Sequence, residues 1–162
     1  MPRSGRPASS ARVARLDATL QSWASTPAVR ERMQRQRTRD TTPELAVRRI
    51  LHAAGFRYRV DFPPLRGLRR RADLVFGPAR VALFIDGCFW HGCPEHSSSP
   101  TNANSEYWLE KIRRNRERDH DTDMMLECEG WVSLRAWEHE DPAEVAQAVM
   151  KVVSARRRPA QS

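Results

Sequence analysis

The chain has 162 residues, with 28 Lys+Arg against 20 Asp+Glu, a formal net charge of +8 and a pI of about 10.6. That length leaves room for one domain and argues against a two-domain enzyme, while the cationic excess points to a polyanionic partner, nucleic acid ahead of an anionic membrane surface. Hydrophobic residues make up 40%, enough for a small core, which excludes a wholly disordered chain.

Only Lys111 and Lys151 are lysines, so arginine supplies almost all of the positive charge, and its planar fork suits phosphate and guanine. No stretch approaches ~18 uncharged apolar residues, and the first residues lack the apolar core of a secretory signal. A cytoplasmic, nucleoid-associated protein of bacterial type is expected. The three cysteines, Cys88, Cys93 and Cys128, are an odd number, and in a reducing compartment metal ligation or burial suits them better than disulfides.

In chain order, residues 1–26 read as a basic, disordered arm rich in Arg, Ser, Ala and Pro, and residues 156–162 as a similar tail. The folded domain is expected between them, over residues 27–155. Thr41-Thr42-Pro43-Glu44 has the form of a capping box, and Leu45, Ile50, Leu51 and Ala54 follow as a helix ended by Gly55. Phe56, Tyr58 and Val60 alternate with arginines as a half-buried strand stopped by Pro63-Pro64. Ala72–Phe76 and Val81–Ile85, separated by Gly77-Pro78, read as a buried hairpin. Tyr107, Leu109, Ile112, Met124, Met125 and Leu126 have helical spacing up to Gly130, divided between two consecutive helices. Trp131–Trp137 follows as a strand and Pro142–Val153 as a closing helix. This order describes an α/β fold in which a mixed sheet is sandwiched by helices.

The stretch Asp86–His96 holds the most chemistry. Cys88, Cys93 and His96 have the spacing and atom types of zinc ligands on a bent loop. His139, directly after a strand, is the favoured fourth ligand, with Cys128 as its rival. Asp73 and Asp86 stand at neighbouring strand ends of one hairpin, where two carboxylates can share Mg²⁺. His91, left off a four-ligand zinc site, is free for general acid or base work. Asp119 either supports its second ring nitrogen or is a solvated helix charge. Phe89 and Trp90 have little core to enter and suit stacking against bases. Trp108 either joins them or packs at helical spacing with Ile112. Arg66, Arg69, Arg70 and Arg71 are phosphate contacts or a solvated charge run.

These residues resemble the very short patch repair DNA mismatch endonucleases. The matching pieces are Thr38-Arg39-Asp40-Thr41 with Glu44, Ala72-Asp73, the run Asp86–His96, Glu106–Ile112 with Asn115, Glu117, Arg118 and Asp119, and Gly130-Trp131 through Trp137-Glu138-His139. Together they span residues 27–153, and the central run is highly specific. The resemblance implies a restriction-endonuclease-like fold with one structural zinc, and Mg²⁺-dependent nicking of double-stranded DNA 5′ of the thymine in T·G mismatches. Because such mismatches arise from deaminated 5-methylcytosine, a cytosine-5 DNA methyltransferase and mismatch-repair proteins are implied as functional partners. A monomer suffices for nicking one strand. The resemblance makes Asp73 the metal-binding catalytic carboxylate, His91 the catalytic histidine, Asp119 its support and Glu44 an acidic helper. It makes Phe89, Trp90 and Trp108 the wedge beside the mismatch, with Met33 entering the other groove. In related nucleases a carboxylate often lies two residues before the Asp-Gly pair; here that position is Phe84, so Asp86, the Ile85 carbonyl or water must serve the metal. A restriction-type or structure-selective nuclease, and a non-catalytic zinc-stabilised DNA-binding module, are the alternatives.

Overall fold

The computed structural model describes residues 40–96 and 105–157, with the backbone alone for Phe89, Ser105 and Tyr107. The basic arm at 1–26, Met33, and the tail beyond Arg157 lie outside the described residues, as does the side chain of Phe89. The order is helix α1 (Thr42–Ala53), strands β1 (Arg59–Phe62), β2 (Ala72–Phe76) and β3 (Val81–Asp86), short helix α2 (Cys88–His91), long helix α3 (Ser105–Cys128), strand β4 (Val132–Trp137) and helix α4 (Pro142–Arg157). Among the described residues no helix is long and apolar enough to cross a membrane.

The four strands form one sheet in the order β1-β2-β3-β4. The Gly77–Ala79 turn folds β2 against β3 as the expected antiparallel hairpin, with Leu74 opposite Leu83. β3 and β4 are parallel, with Phe84 opposite Arg135 and Asp86 opposite Trp137. Parallel neighbours need a crossover, and α3 supplies it. The result is a mixed sheet flanked by helices, the architecture expected from the order of apolar runs.

Side chains alternate across a strand, and each face of this sheet has a different cover. Leu74, Phe76, Val81, Leu83 and Ala136 face α1 and α4, packing with Val47, Leu51, Val145, Val149 and Val153 in the main core. Phe56, Tyr58 and Val60 pack against that core as their alternation implies, although ladder pairing starts only at Arg59. On the other face Val75, Ala82 and Phe84 meet Leu126 of α3. Gly55, at φ +85°, closes α1: the Phe56 N–H reaches the Leu51 carbonyl at 3.0 Å, a left-handed step that glycine takes without strain.

Two local expectations change. The region from Tyr107 to Gly130 is one helix of 24 residues rather than two. Its polar middle resembles a break because few apolar residues occupy it, but ion pairs of Glu110 with Arg113 and Arg114, and of Arg113 with Glu117, hold that surface together. Leu109, Met124 and Met125, read as part of its apolar spacing, are exposed, since only Leu126 reaches the sheet core. The capping box also differs. Thr41 makes no side-chain cap bond; instead its hydroxyl donates to Glu44 Oε1 at 3.0 Å while Glu44 Oε2 accepts the Asp40 N–H at 2.9 Å. Arg48 draws the same carboxylate, at 3.0 Å, into a buried ion pair.

These burials separate two leucines by consequence. Leu51→Ala, at a site 0% exposed, should lower stability by about 2–5 kcal/mol in urea unfolding, whereas Leu109→Ala, 54% exposed, should stay within about 0.5 kcal/mol of the parent. Equal losses at both positions would contradict the single exposed helix.

Candidate active site

The period-2 alternation that builds the second sheet face also delivers its chemistry. Asp73, Asp86 and Arg135 occupy the same face as Val75, Ala82 and Phe84, beyond the apolar contact with Leu126. There the sheet and α3 enclose a cleft of about 340 Å³, lined by Asp73, Asp86, His91, Asp119 and Arg135 and bordered by Arg70, Arg71 and Arg118.

Asp73 is held by an unusual pairing: its Oδ2 accepts the Ile85 N–H from the neighbouring strand at 2.6 Å. Burial pushes its carboxyl up to about 7; the Ile85 hydrogen bond opposes the rise, and the negative charges of Glu44 and Asp86 add to it. Glu44 is itself buried at the start of α1 and neutralised by Arg48.

His91 and Asp119 meet at 2.6 Å, Nδ1 to Oδ2. Burial works against a charged imidazole here, but the Asp119 hydrogen bond and the charges of Asp86 and Asp119 outweigh it and raise the pKa above 6.5. With Nδ1 held by a carboxylate, Nε2 becomes the edge for proton transfer. Asp86 lies 3.8 Å from His91 Nδ1, yet both of its oxygens are taken by Arg135 Nη1, at 3.0 and 3.1 Å. Burial pushes the Asp86 carboxyl up and the guanidinium opposes it.

Arg135 was not singled out in the sequence. It extends from β4 with its side chain 5% exposed, contacting Asp86, Asp119 and Asp123 and stacking 4.6 Å over the Phe84 ring. The available signal was its place in β4, where Ser133, Arg135 and Trp137 alternate with the main-core residues Leu134 and Ala136.

Beside the cleft a second group forms. One ligand atom from each of Cys88, Cys93, His96 and His139 lies within 4.8 Å of the others. Cys88 Sγ and His139 Nδ1 are 3.0 Å apart, Cys93 Sγ and His96 Nδ1 3.6 Å. Ligands around a tetrahedral zinc stand about 3.4–3.8 Å apart, given bonds of 2.0–2.3 Å, so little movement is needed to hold the ion. Burial, then the neighbouring Cys93, pushes the Cys88 thiol far up, so an ionised thiolate here calls for a cation. Glu95 holds His139 Nε2 at 3.1 Å, the carboxylate-to-histidine support that metal ligands commonly have. Cys128 is exposed at the end of α3 and stands outside this group.

Helix α3 clamps the intervening loop. Asn115 donates to the Trp90 carbonyl at 2.8 Å, and Arg116 to the carbonyls of His91 and Gly92 at 3.1 and 2.6 Å. A Cβ on Gly92, at φ +64°, would lie 2.8 Å from Ile112, so glycine permits this close approach. Trp90 and Trp108 sit with ring centroids 5.7 Å apart, and Lys111 lies over both. Of the four loop arginines, Arg70 bonds α3 at Thr122 and Arg118, Arg71 pairs with Asp61, Arg69 is exposed, and Arg66 borders a separate groove with Met124 and Cys128.

Comparisons with known proteins place the chain in a family. Residues 24–96 match the family described as DNA mismatch endonuclease Vsr. The type II nicking enzyme V.NaeI of Lentzea aerocolonigenes is 47% identical over 121 residues, covering 73% of this chain and 72% of that protein. The chain belongs to the Vsr family. V.XorIIP, a type II nicking enzyme of Xanthomonas oryzae pv. oryzae, is 39% identical over 67% of this chain and 77% of its own length. The DNA mismatch endonuclease Vsr of Escherichia coli K12 is 37% identical over 62% and 63% respectively.

For this Vsr-family chain the raised Asp73 pKa has a stability consequence. A carboxyl that ionises near 3.8 when unfolded and near 7 when folded penalises the native state increasingly between those pH values, and fully above them. In magnesium-free buffer, Asp73→Asn should therefore be more stable than the parent at pH 8, by about 1–3 kcal/mol in urea unfolding. The advantage should vanish below about pH 4; a variant less stable at pH 8 would refute the assignment.

Proposed function

We propose that this protein is a Mg²⁺-dependent DNA endonuclease that nicks one strand of double-stranded DNA 5′ of the thymine in a T·G mismatch. The observation that carries the reading is the convergence of Asp73 and the hydrogen-bonded His91–Asp119 pair in one arginine-bordered cleft, in a chain of the DNA mismatch endonuclease family.

Asp73 and the Ile85 carbonyl would hold the magnesium; Asp86, with both oxygens on Arg135, is the weaker candidate. When bound, the ion supplies charge stabilisation at phosphorus and a more acidic water. Asp119 fixes the His91 tautomer, so Nε2 exchanges the proton of the attacking water or of the leaving oxygen. Glu44, the acidic helper in this reading, acts on Asp73 through its charge, which the paired Arg48 partly offsets. Arg70, Arg71 and Arg118 neutralise the phosphates entering the cleft, with Arg66 and Arg69 further out along the backbone.

Cys88, Cys93, His96 and His139 bind a structural zinc in this reading. Trp90 and Trp108, with Phe89 and with Met33 entering the other groove, form the wedge. Unstacking a mismatched pair takes less free energy than unstacking a matched one, so an aromatic wedge converts weak pairing into selectivity. Residues 27–155 form the nuclease domain, flanked by a basic arm and tail. T·G substrate is produced by deamination of 5-methylcytosine, which links the activity to a cytosine-5 DNA methyltransferase and to mismatch repair. The protein acts as a monomer on this substrate.

The test is nicking of matched duplexes that carry T·G, C·G or T·A at one position, with Mg²⁺. T·G should be cut at least about tenfold faster, since each disrupted base pair is worth ~1–3 kcal/mol; equal cutting of all three rejects mismatch selectivity, and cutting of paired DNA at a fixed sequence favours a restriction-type nuclease. His91→Ala should slow nicking by about 100- to 10,000-fold, and Asp73→Ala should abolish it while DNA affinity is kept. A dispensable Asp73 would leave only a binding module.

A tight chelator should release one zinc per chain and lower the melting temperature by at least about 5 °C. Cys93→Ser should bind none. Release of no zinc from freshly purified protein would remove the metal from the reading.

A further inference from the structure

Two carboxylates and a histidine gather in the cleft: one ligand atom each from Asp86, His91 and Asp119 lies within 4.8 Å of the others. Such a trio of oxygen and nitrogen donors resembles a divalent cation site. Its centre is already served by a cation that belongs to the chain. Arg135 Nη1 bonds both oxygens of Asp86, at 3.0 and 3.1 Å, and stands 3.4 Å from Asp119 Oδ1. Its Nε bonds both oxygens of Asp123, at 3.1 and 3.0 Å, and its Nη2 reaches the Asp119 carbonyl at 3.3 Å. The Phe84 ring closes one side of the guanidinium. With 5% of its side chain exposed, Arg135 is poorly placed to grip phosphate as the arginines at the rim do.

We propose that Arg135 is a positioning residue that keeps divalent cations out of the Asp86–His91–Asp119 group. The inference rests on the reading of His91 as the proton carrier and Asp73 as the metal ligand. A divalent ion bound to this trio would lie within a few ångströms of a fixed positive charge and would take a ring nitrogen of His91 as a ligand, ending proton transfer. The resident guanidinium satisfies the same oxygens without touching the ring. It leaves Asp119 aimed at Nδ1, and it assigns the reaction's metal to Asp73 alone among these carboxylates. The hydrogen bonds to three separate acidic residues explain the use of arginine, whose five donors fan out in one plane, where lysine offers one point charge.

The test counts Mn²⁺ bound to full-length, zinc-replete protein, using the electron paramagnetic resonance signal of free Mn²⁺. Asp73→Asn should bind none in the cleft. Asp73→Asn with Arg135→Met should regain one site, which Asp119→Asn then removes, while Asp73→Asn with Arg135→Lys should stay empty. In nicking assays Arg135→Met should lower kcat at least about tenfold with KM for DNA changed less than about threefold, and Arg135→Lys should recover part of the loss. Mn²⁺ bound by Asp73→Asn with Arg135 in place, and lost with Asp119→Asn, overturns the proposal, and so does a folded Arg135→Met variant that gains no site. Should Arg135→Met not fold, the Asp73→Asn and Arg135→Lys counts still decide: empty sites uphold the proposal and a filled one overturns it. The counts do not depend on turnover, so a parent protein that fails to nick would reject the proposed function and leave this inference standing or falling on the manganese alone.

Discussion

The parallel pairing of β3 with β4 is the constraint from which both polar clusters follow. It sets Asp86 opposite Trp137, so that the two chains leave the sheet side by side, and the Glu138 N–H bonds the Asp86 carbonyl at 3.0 Å just past the ladder. The loop carrying Cys88 and the loop carrying His139 therefore start as neighbours. Glu138 Oε1 accepts the Cys88 N–H at 2.9 Å and fixes their separation. An antiparallel partner would have placed residue 139 at the far end of β3. The same parallel pairing requires a crossover, and α3 spans the very face on which Asp73, Asp86 and Arg135 point. In open α/β sheets ligands gather beyond the carboxyl ends of parallel strands, and here that region holds both the acidic cleft and the sulfur-and-imidazole group.

A cleft built this way concentrates acids where solvent is scarce. Glu44 and Asp86 are buried and Asp73, Asp119 and Asp123 partly so, and each buried carboxylate must be charged against a local cost. The chain meets that cost unevenly. Asp86 and Asp123 share Arg135, and Glu44 has Arg48, so these acids are balanced by fixed cations. Among the described residues Asp73 has the Ile85 N–H as its hydrogen-bond partner, and burial leaves its pKa near 7. The unbalanced carboxylate is the one suited to attract an external cation, because binding relieves an existing electrostatic penalty. Stability is thereby lower at Asp73 than a neutral side chain would allow, the usual trade at a preorganised site.

Much of this was legible from local patterns. The Gly77-Pro78 break between two apolar runs gave the hairpin, and the crowding of Cys88, Cys93 and His96 into nine residues pointed to one centre. His139 could be preferred over Cys128 because a strand end can face a loop, whereas Cys128 follows the apolar phase of a helix. Long-range pairings were less accessible. Arg135 reads as an ordinary strand residue until the parallel register puts it beside Phe84 and Asp86, a relation that no local window contains. The partner of both Asp86 oxygens, Arg135, is hidden for the same reason, lying 49 residues away. The polar middle of α3 was taken for a break because amphipathic reasoning expects an apolar stripe. Here the helix lies over a polar cleft, so its inward face carries Asn115, Asp119, Thr122 and Asp123 instead of leucines.

That inward face also couples the two halves of the proposed chemistry. Asn115 and Arg116 hold the backbone of Trp90, His91 and Gly92, and Asp119, one turn further along the same helix, holds the His91 ring. Trp90 and Trp108 share the cation of Lys111, again from α3. If DNA displaces the aromatic pair as proposed, the movement would reach a loop whose next residue is His91, and the helix that orients that histidine. Cys88 before the aromatics and Cys93 after His91 would keep this segment stiff when the proposed zinc is bound. In a longer or looser loop the rings could enter a matched duplex transiently without moving the imidazole. Under the proposed function, with one residue between Phe89 and His91, insertion of an aromatic wedge and placement of the imidazole would be the same motion, so a base pair that resists unstacking would also withhold that placement.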